Sequence, residues 1–404
     1  MADIGRRAAL GALGGAALSS PLWAQQLVDL GFKGGGGRLP LVDNFPEKAA
    51  MLRQRSRGPL LETPFEVFDV GDRGVFTPND RFFVRWHYAD IPLSVDVAAF
   101  RLKISGAVRQ PLALTLGELL KLPRVEIAAV NQCSGNSRGH FSPRVPGGQW
   151  GHGAMGNARW TGVRLKDVLD RAGIAPGASA VRFAGLDRPP IEGAPWFAKS
   201  LAVDHARDGE VMIAFAMNGE ALPMLNGFPI RLVVPGWYST YWVKALDRIE
   251  VLSAPDDNFW MAKAYQIPAT PRASVAPGDK DFPTVPISTM VPRSFITNRR
   301  DGSTLAAGAP LALRGIALGG ASGVARVELT RDSGRSWQTA RLDRDEGKYS
   351  FRAWRLDLGP LPRGEHVIGV RCTASDGQTQ LPGPIWNGGG YMYSPIETIR
   401  VRAA

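Results

Sequence analysis

Strand-like and helical patterns are mixed along the first part of the chain. The stretch 100–104 alternates apolar and polar residues with the period of two that is typical of a strand, whereas 114–120 and 165–172 repeat at helical spacing. Thr115, with a glutamate three residues later, is a typical helix start. This mixture, which lacks a regular βαβ repeat, predicts an α+β domain over residues 41–268.

The C-terminal part of the chain has a different pattern. Short alternating strands separated by turn residues run through 294–404, and they predict an immunoglobulin-like antiparallel β-sandwich. Trp337 and Trp354 are expected to anchor its core. The proline-rich stretch 269–293 has little periodicity and is predicted to link the two domains. Strands are expected at 325–330, 349–356 and 366–373.

The first residues have the features of an export signal. Arg6 and Arg7 precede a small-residue apolar run that ends near Ala24. Residues 1–24 are therefore predicted to be a twin-arginine signal, which would place the folded protein in the periplasm. An ordinary secretory signal with accidental paired arginines is the alternative. Nothing else in the chain is apolar over a sufficient length to predict a membrane span.

Charge and cysteine content narrow the function classes. The formal net charge is +11, which favours anionic partners or substrates. The basic residues are scattered and form no zinc finger or basic helix, so nucleic-acid binding is not predicted. Only two cysteines are present, Cys133 and Cys372, and the second is expected to be a small core residue of a strand. A disulfide framework is therefore not expected.

The densest chemical signal is the loop that contains Cys133. A thiolate there would be a soft metal ligand, and the small residues around it would let the backbone approach a bulky cofactor. The loop 131–138 and the segments 153–163 and 165–169 closely resemble the sulfite oxidase family of molybdopterin enzymes, particularly its bacterial sulfite dehydrogenases. Further matches follow in family order over nearly the whole mature chain, at 77–87, 217–220 and 227–231.

The resemblance implies a molybdenum-molybdopterin cofactor whose metal is bound by Cys133. Arg231 and Lys244 lie in apolar strand-like contexts where an unpaired charge would be costly, which favours a role in binding the cofactor's phosphate. Asn226 stands where some relatives carry histidine, so one cofactor contact differs. The positions that match the family's cofactor contacts are His87, Asp187, Arg231, Ser239, Thr240 and Lys244.

The resemblance also implies a substrate pocket for sulfite. Arg85 matches the family's anion-binding arginine, and guanidinium groups suit small oxyanions. Tyr265 resembles the tyrosine that hydrogen-bonds beside the metal, and His87 is expected to reach the same pocket. Sulfite would be oxidised to sulfate, and the electrons would pass to a separate c-type cytochrome, because the chain has no haem-attachment motif.

One departure from the family leaves alternatives open. Relatives commonly carry an arginine in a C-terminal Trp-Asn segment, but 386–393 has none, and Arg400 and Arg402 follow in a different context. Reduction of a sulfoxide or another oxyanion, or dehydrogenation of carrier-bound sulfane sulfur, are the enzymatic alternatives. A secreted β-sandwich binding protein with a buried Cys133 is the alternative from a different class. The C-terminal domain implies a homodimer, or a heterodimer with a cytochrome.

Overall fold

The computed structural model describes residues 26–71, 74–383 and 385–404. The predicted export signal, 1–24, lies outside the described residues. Over the described ranges, no helix combines the length and apolar character that crossing a bilayer requires. The architecture is dominated by sheets, with a few short helices between them.

An antiparallel sheet at the N-terminal end joins five consecutive strands in the order in which they occur. The last two are buried, and they place the segment after Arg85 at the wall of a cleft. These strands are β1 (Leu27–Asp29), β2 (Arg38–Val42), β3 (Met51–Arg55), β4 (Leu60–Glu62) and β5 (Val84–Arg85).

Two further sheets form the centre of the first domain. One sheet has the order β11-β10-β15-β6-β7, and β15 and β6 are the only parallel pair among the described strands of this sheet. The other sheet has the order β13-β12-β9-β8, and β14 also pairs with β12. The strands are β6 (Leu102–Gly106), β7 (Leu112–Leu114), β8 (Arg124–Gln132), β9 (Met155–Arg164), β10 (Ala180–Gly185), β11 (Ala198–Ala202), β12 (Met212–Met217), β13 (Glu220–Ala221), β14 (Arg231–Val233) and β15 (Leu246–Leu252).

The helices follow local sequence signals. In α1 (Leu116–Leu119), Thr115 and Glu118 form the reciprocal capping bonds that their spacing predicts. In α2 (Leu165–Ala172), one face is buried against the sheets, and Gly173 ends the helix with a φ of 68°. The remaining α-helices among the described residues are α3 (Val203–Ala206) and α4 (Phe259–Ala262).

The stretch predicted as a linker contains ordered structure. Strand β16 (Gln266–Pro268) pairs with β17 (Thr284–Pro286), which lies inside 269–293. Ile287 and Met290 from the same stretch are buried in the core of the first domain. This segment therefore packs against the first domain as well as leading to the second.

The C-terminal domain is a sandwich of two sheets, as predicted, with the orders β18-β20-β24-β23 and β19-β26-β25-β21-β22. Trp354 and Cys372 are fully buried in its core, also as predicted, whereas the expectation for Trp337 is wrong. Trp337 is partly exposed, and its ring stacks under the Arg371 guanidinium at 3.8 Å. The strands are β18 (Arg293–Ile296), β19 (Ser303–Leu305), β20 (Pro310–Leu318), β21 (Val324–Thr330), β22 (Gln338–Thr339), β23 (Arg341–Leu342), β24 (Arg352–Pro360), β25 (Gly364–Ala374) and β26 (Glu397–Ala403).

The two domains are in direct contact behind the Cys133 loop. Arg293 of β18 is fully buried and donates a hydrogen bond of 2.9 Å to the Ser137 hydroxyl. Its other end forms an ion pair with Glu397 of β26. The sandwich therefore holds one end of the loop that carries the chemical signal.

Close backbone packing at Gly153 generates a test of this arrangement. A Cβ atom at Gly153 would lie 1.9 Å from the Thr63 carbonyl oxygen. Replacing Gly153 by alanine should therefore lower the free energy of unfolding by about 1–3 kcal/mol, measured by urea denaturation, because the two segments must separate. Gly117→Ala is the matched control, since Gly117 lies in α1 with no atom nearer than 4.0 Å to an added Cβ. The control should leave stability unchanged or raise it by up to ~1 kcal/mol, and equal losses in both variants would contradict the packing argument.

Candidate functional site

All nine residues predicted for the site line one cleft in the first domain. The cleft encloses about 570 Å³ of empty space and lies between β5, the Cys133 loop and the segments that follow β14. The predicted residues brought together are Arg85, His87, Cys133, Asp187, Arg231, Ser239, Thr240, Lys244 and Tyr265.

Cys133 stands where β8 ends and the chain turns back. Its backbone N–H donates to the Ala154 carbonyl at 2.9 Å, and its own carbonyl accepts from the Asn136 N–H. The Asn136 side chain in turn accepts from the Ala154 N–H at 3.0 Å. Cys133 is 7% exposed and lines the cleft, so its sulfur is held by a rigid loop rather than packed only among core side chains.

A buried carboxylate holds the segment opposite that loop. Glu62, at the end of β4, accepts hydrogen bonds from the N–H groups of Gly151 and Gly153 at 3.0 and 2.8 Å. Burial raises the pKa of Glu62 to about 7, although these bonds and one from Gln54 oppose the shift. The Glu62 bonds fix the 151–153 backbone, which precedes the Ala154 partner of Cys133.

The inner part of the cleft is strongly cationic. Arg231 is 3% exposed and donates to the carbonyls of Asn226 and Trp242 at 2.9 and 3.2 Å. The Lys244 ammonium donates to the Arg85 carbonyl at 2.6 Å. Burial lowers the pKa of Arg231 to about 9 and also lowers the pKa of Lys244. Burial is the largest cause of both shifts, and the charge of Asp187 offsets it only in part for Lys244.

One carboxylate opposes these cations. Among the described residues that line the cleft, only Asp187 carries a carboxyl group, and it is 4% exposed. Burial raises its pKa, and the charge of Lys244 opposes the shift. An anionic group that enters the cleft would therefore meet an excess of positive charge.

His87 and Tyr265 form a hydrogen-bonded pair in the same cleft, with 2.6 Å between His87 Nε2 and the Tyr265 hydroxyl. The His87 ring stacks on Phe197 at 3.6 Å. Burial, together with the nearby cations Arg85 and Lys244, lowers the pKa of His87 well below its ordinary value, so the imidazole is neutral at physiological pH. Burial raises the pKa of Tyr265, so the phenol keeps its proton.

Tyr265 has an unusual backbone conformation, with a φ of 58°. A bulky residue in the left-handed region is strained and persists only where its surroundings hold it. Its ring stacks on Tyr391 with 5.5 Å between centroids, and its carbonyl accepts from the Ile287 N–H at 2.9 Å.

The sequence interpretation did not assign Arg138, which follows Cys133 by five residues. Arg138 donates to the Gly389 carbonyl at 2.9 Å, and its guanidinium lies 5.2 Å from the centre of the Tyr391 ring. A Cβ atom at Gly135, Gly147 or Gly390 would lie within 2.7 Å of Arg138. The glycines that surround this side chain were a signal, since a loop that excludes Cβ atoms indicates a close approach.

The C-terminal segment without arginine reaches the site. The Met392 N–H donates to the Ser134 carbonyl at 3.1 Å, beside Cys133. Arg400 and Arg402 lie in β26 on the outer part of the sandwich, where they pair with Asp301 and Glu365. Neither arginine lines the cleft, and Tyr391 of the C-terminal segment contacts the site by stacking on the Tyr265 ring.

Asn226 lines the cleft, but both ends of its amide are engaged elsewhere. Its oxygen accepts from the buried Lys48 ammonium at 2.5 Å, and its nitrogen donates to the Phe83 carbonyl at 3.2 Å. Asn226 therefore supports the wall of the cleft through its hydrogen bond with Lys48. No sequence motif indicated this contact.

The donors of the cleft fit an anionic cofactor that carries a soft metal. Cys133 supplies a sulfur ligand. The buried polar atoms that line the cleft without a hydrogen-bond partner among the described residues include Arg85 Nη1, Asn131 Nδ2, Ser134 Oγ and Arg231 Nε. Since buried polar atoms in proteins are normally paired, these atoms are best explained by the phosphate, the pterin and the substrate that would complete them.

Comparisons with known proteins agree with this geometry. Residues 88–260 match the family described as oxidoreductase molybdopterin binding domain, and 285–395 match the Mo-co oxidoreductase dimerisation domain. Mitochondrial sulfite oxidase of Homo sapiens is 34% identical over 382 residues, which cover 90% of this chain and 67% of that protein. Sulfite oxidase of Gallus gallus is 34% identical over 364 residues, which cover 85% of this chain and 76% of that protein.

A solved structure gives the same result. The sulfane dehydrogenase SoxCD from Paracoccus pantotrophus superposes with a TM-score of 0.73 at 27% identity, over 86% of this chain and 85% of that one. The predicted fold, a molybdopterin-binding domain followed by a β-sandwich, is thereby confirmed. The chain belongs to the sulfite oxidase family of molybdopterin oxidoreductases, and its cofactor is molybdenum-molybdopterin.

Proposed function

We propose that this protein oxidises sulfite to sulfate and passes the electrons to a c-type cytochrome. The observation that carries the proposal is the convergence of Arg85 and the His87–Tyr265 pair on the cleft lined by Cys133. A small dianion would find there a guanidinium with a buried, unpaired N–H group, a phenol and a neutral imidazole.

The chain would hold the cofactor from both ends. Cys133 would bind the metal, and Arg231 and Lys244 would bind the phosphate, since one is a buried and the other a half-buried cation lining the same cleft. Ser239 and Thr240, in a single turn of 3-10 helix that lines the cleft, add hydroxyl and backbone donors. Asp187 and His87 would contact the pterin. When bound, the molybdenum-pterin supplies the two-electron oxygen transfer that no side chain can perform.

Arg85 and Tyr265 would act on the substrate. The Arg85 guanidinium would orient the anion and stabilise its negative charge, in surroundings where burial makes such contacts strong. The Tyr265 hydroxyl, held by His87 Nε2, would donate its proton in a hydrogen bond to an oxygen of the substrate or product. A neutral His87 with its proton on Nε2 would donate that N–H to the Tyr265 hydroxyl oxygen, so the pair would add no further positive charge to the cleft.

The electron acceptor is proposed from what the chain lacks and from its charge. The sequence contains no Cys-x-x-Cys-His motif for haem attachment. A net charge of +11 favours transient docking of an acidic redox protein. Export through the twin-arginine signal would place the enzyme in the periplasm with such a cytochrome, and the C-terminal domain would form a homodimer or bind the cytochrome as a second subunit.

A dehydrogenase of carrier-bound sulfane sulfur is the second candidate. Two observations favour it: the segment 386–393 brings no arginine to the site, and the structure resembles a sulfane dehydrogenase. The residue of this segment that stacks on Tyr265 is Tyr391, which brings no charge of its own to the site.

The substrate assay separates these candidates. Purified protein loaded with molybdenum should reduce both cytochrome c and ferricyanide when sulfite is added. Turnover of a protein-bound persulfide in place of sulfite would support the second candidate. Consumption of a reduced dye with a sulfoxide, without any sulfite oxidation, would favour a reductase. A protein with no molybdenum, from a host that makes the cofactor, would contradict enzymatic function.

Replacing Cys133 by serine should lower turnover at least about 100-fold and leave the fold intact, because it removes a metal ligand from a loop held by backbone hydrogen bonds. Molybdenum content, circular dichroism and steady-state rates would be compared. Cys372→Ala is the matched control, since Cys372 lies in the sandwich core and should affect stability rather than turnover per molybdenum. Full activity of the serine variant would refute the assignment.

Replacing Arg85 by methionine should reduce kcat/KM for sulfite by roughly 10–100-fold, because a charged hydrogen bond to the anion is lost. Arg85→Lys should give an intermediate value, since the charge stays and the planar fork is lost. Arg164→Met is the control, because Arg164 is exposed at the start of α2. If Arg85→Met and Arg164→Met have the same kcat/KM for sulfite, Arg85 does not act at the substrate site.

A further inference from the structure

A buried lysine lies behind the pair that faces the substrate. Lys199, in β11, has no solvent exposure, and its ammonium donates to the Trp260 carbonyl at 2.7 Å. The same ammonium lies 4.6 Å from the centre of the Tyr241 ring and 5.5 Å from that of Tyr265. Both distances fall within the range of cation–π attraction, which strengthens when the cation is desolvated.

The direction of the side chain follows from the strand. Residues two apart on a strand share a face, so Lys199 points the same way as Phe197, on which the His87 ring stacks. Ser200, the residue after Lys199, faces the other side, where its hydroxyl donates to the Asp256 carboxylate. One face of β11 therefore supports both members of the His87–Tyr265 pair. The Phe197 ring packs against His87, and the Lys199 ammonium lies beside the Tyr265 ring.

Helix α4 needs such an anchor, because it is a single turn and none of its residues is buried. At its start, the Asn258 side chain accepts from the Trp260 N–H at 2.8 Å, and Asn258 itself is held by Asp256. The carbonyl of Trp260, the second residue of the helix, is held by Lys199. Tyr265 follows the end of α4 by three residues, so a displacement of α4 would also displace the Tyr265 hydroxyl.

Tyr265 depends on its neighbours for its position. Its left-handed backbone, with a φ of 58°, is unfavourable for a tyrosine. The contacts that hold it are the hydrogen bond to His87, the stacking on Tyr391 and the approach of Lys199. Lys199 contacts both this ring and, through the Trp260 carbonyl, the helix that precedes it.

We propose that Lys199 is a positioning residue, whose ammonium fixes α4 and the Tyr265 ring so that the Tyr265 hydroxyl stays within hydrogen-bond distance of His87 in the cleft. The inference rests on the role of Tyr265 in the proposed function. Lys199 does not line the cleft, and its effect on the substrate is transmitted through Tyr265.

A double-mutant cycle tests this dependence with four proteins: the parent, Lys199→Met, Tyr265→Phe and the double variant. Methionine has similar length and no charge. With sulfite and ferricyanide, Lys199→Met should lower kcat about 10-fold and change KM little, because a displaced hydroxyl impairs the reaction more than anion binding. In the Tyr265→Phe background, the same replacement should change kcat less than about 2-fold, since the hydroxyl it positions is absent.

A second measurement needs no substrate. Hydrogen exchange at the amides of Met261, Ala262 and Lys263, which bond within α4, should be faster in Lys199→Met and unchanged in Tyr265→Phe. Lys263→Met is the matched control, because Lys263 is exposed at the end of α4 and should leave both rate and exchange unchanged. If Lys199→Met does not fold, Lys199→Gln, which keeps a donor for Trp260, replaces it in the cycle.

The outcomes are distinguishable. Equal kcat losses from Lys199→Met in both backgrounds would overturn the inference, because the lysine would then act independently of the Tyr265 hydroxyl. Unchanged kcat and exchange in Lys199→Met would overturn it as well, and so would a Tyr265→Phe enzyme as active as the parent. Absence of sulfite oxidation in the parent would refute the proposed function, whereas the exchange data would still decide whether Lys199 anchors α4.

Discussion

Positive charge buried without an equal negative charge is the constraint on which the site depends. Arg231 is buried and Lys244 is half-buried, and Asp187 is the one carboxylate that lines the cleft with them among the described residues. Such an arrangement is costly in the empty protein and favourable once an anion with phosphate oxygens occupies the cleft. The empty cleft therefore favours binding of its anionic cofactor. The sheets must keep the walls of the cleft rigid, because otherwise the charged side chains could move apart.

Those walls come from both domains. The first domain holds the Cys133 loop through Glu62 and Asn136, and the sandwich holds it through Arg293, which bonds to Ser137. The segment between β25 and β26 returns to contact Ser134. The C-terminal domain is thus part of the support of the metal site, in addition to any role in assembly.

The residues of the candidate site could be predicted because they lie in short, ordered motifs, and all nine line the cleft. Helices α1 and α2 were predictable for a similar reason, since their boundary signals are local. Trp337 was misjudged because a tryptophan in a strand-rich region can stack under an arginine at the surface as readily as fill a core. Lys199 and Tyr391 were missed because their meaning depends on partners far away in sequence.

The glycines of the C-terminal segment limit how the specificity of the enzyme can evolve. A Cβ atom at Gly389 would lie 2.6 Å from the Tyr391 ring, and one at Gly390 would lie 2.6 Å from the Arg138 guanidinium. An arginine introduced at 389 would therefore be tolerated only after residue 391 had become smaller. The order of the substitutions matters, and a lineage that carries Tyr391 is separated from an arginine-lined pocket by an epistatic barrier rather than by a single codon.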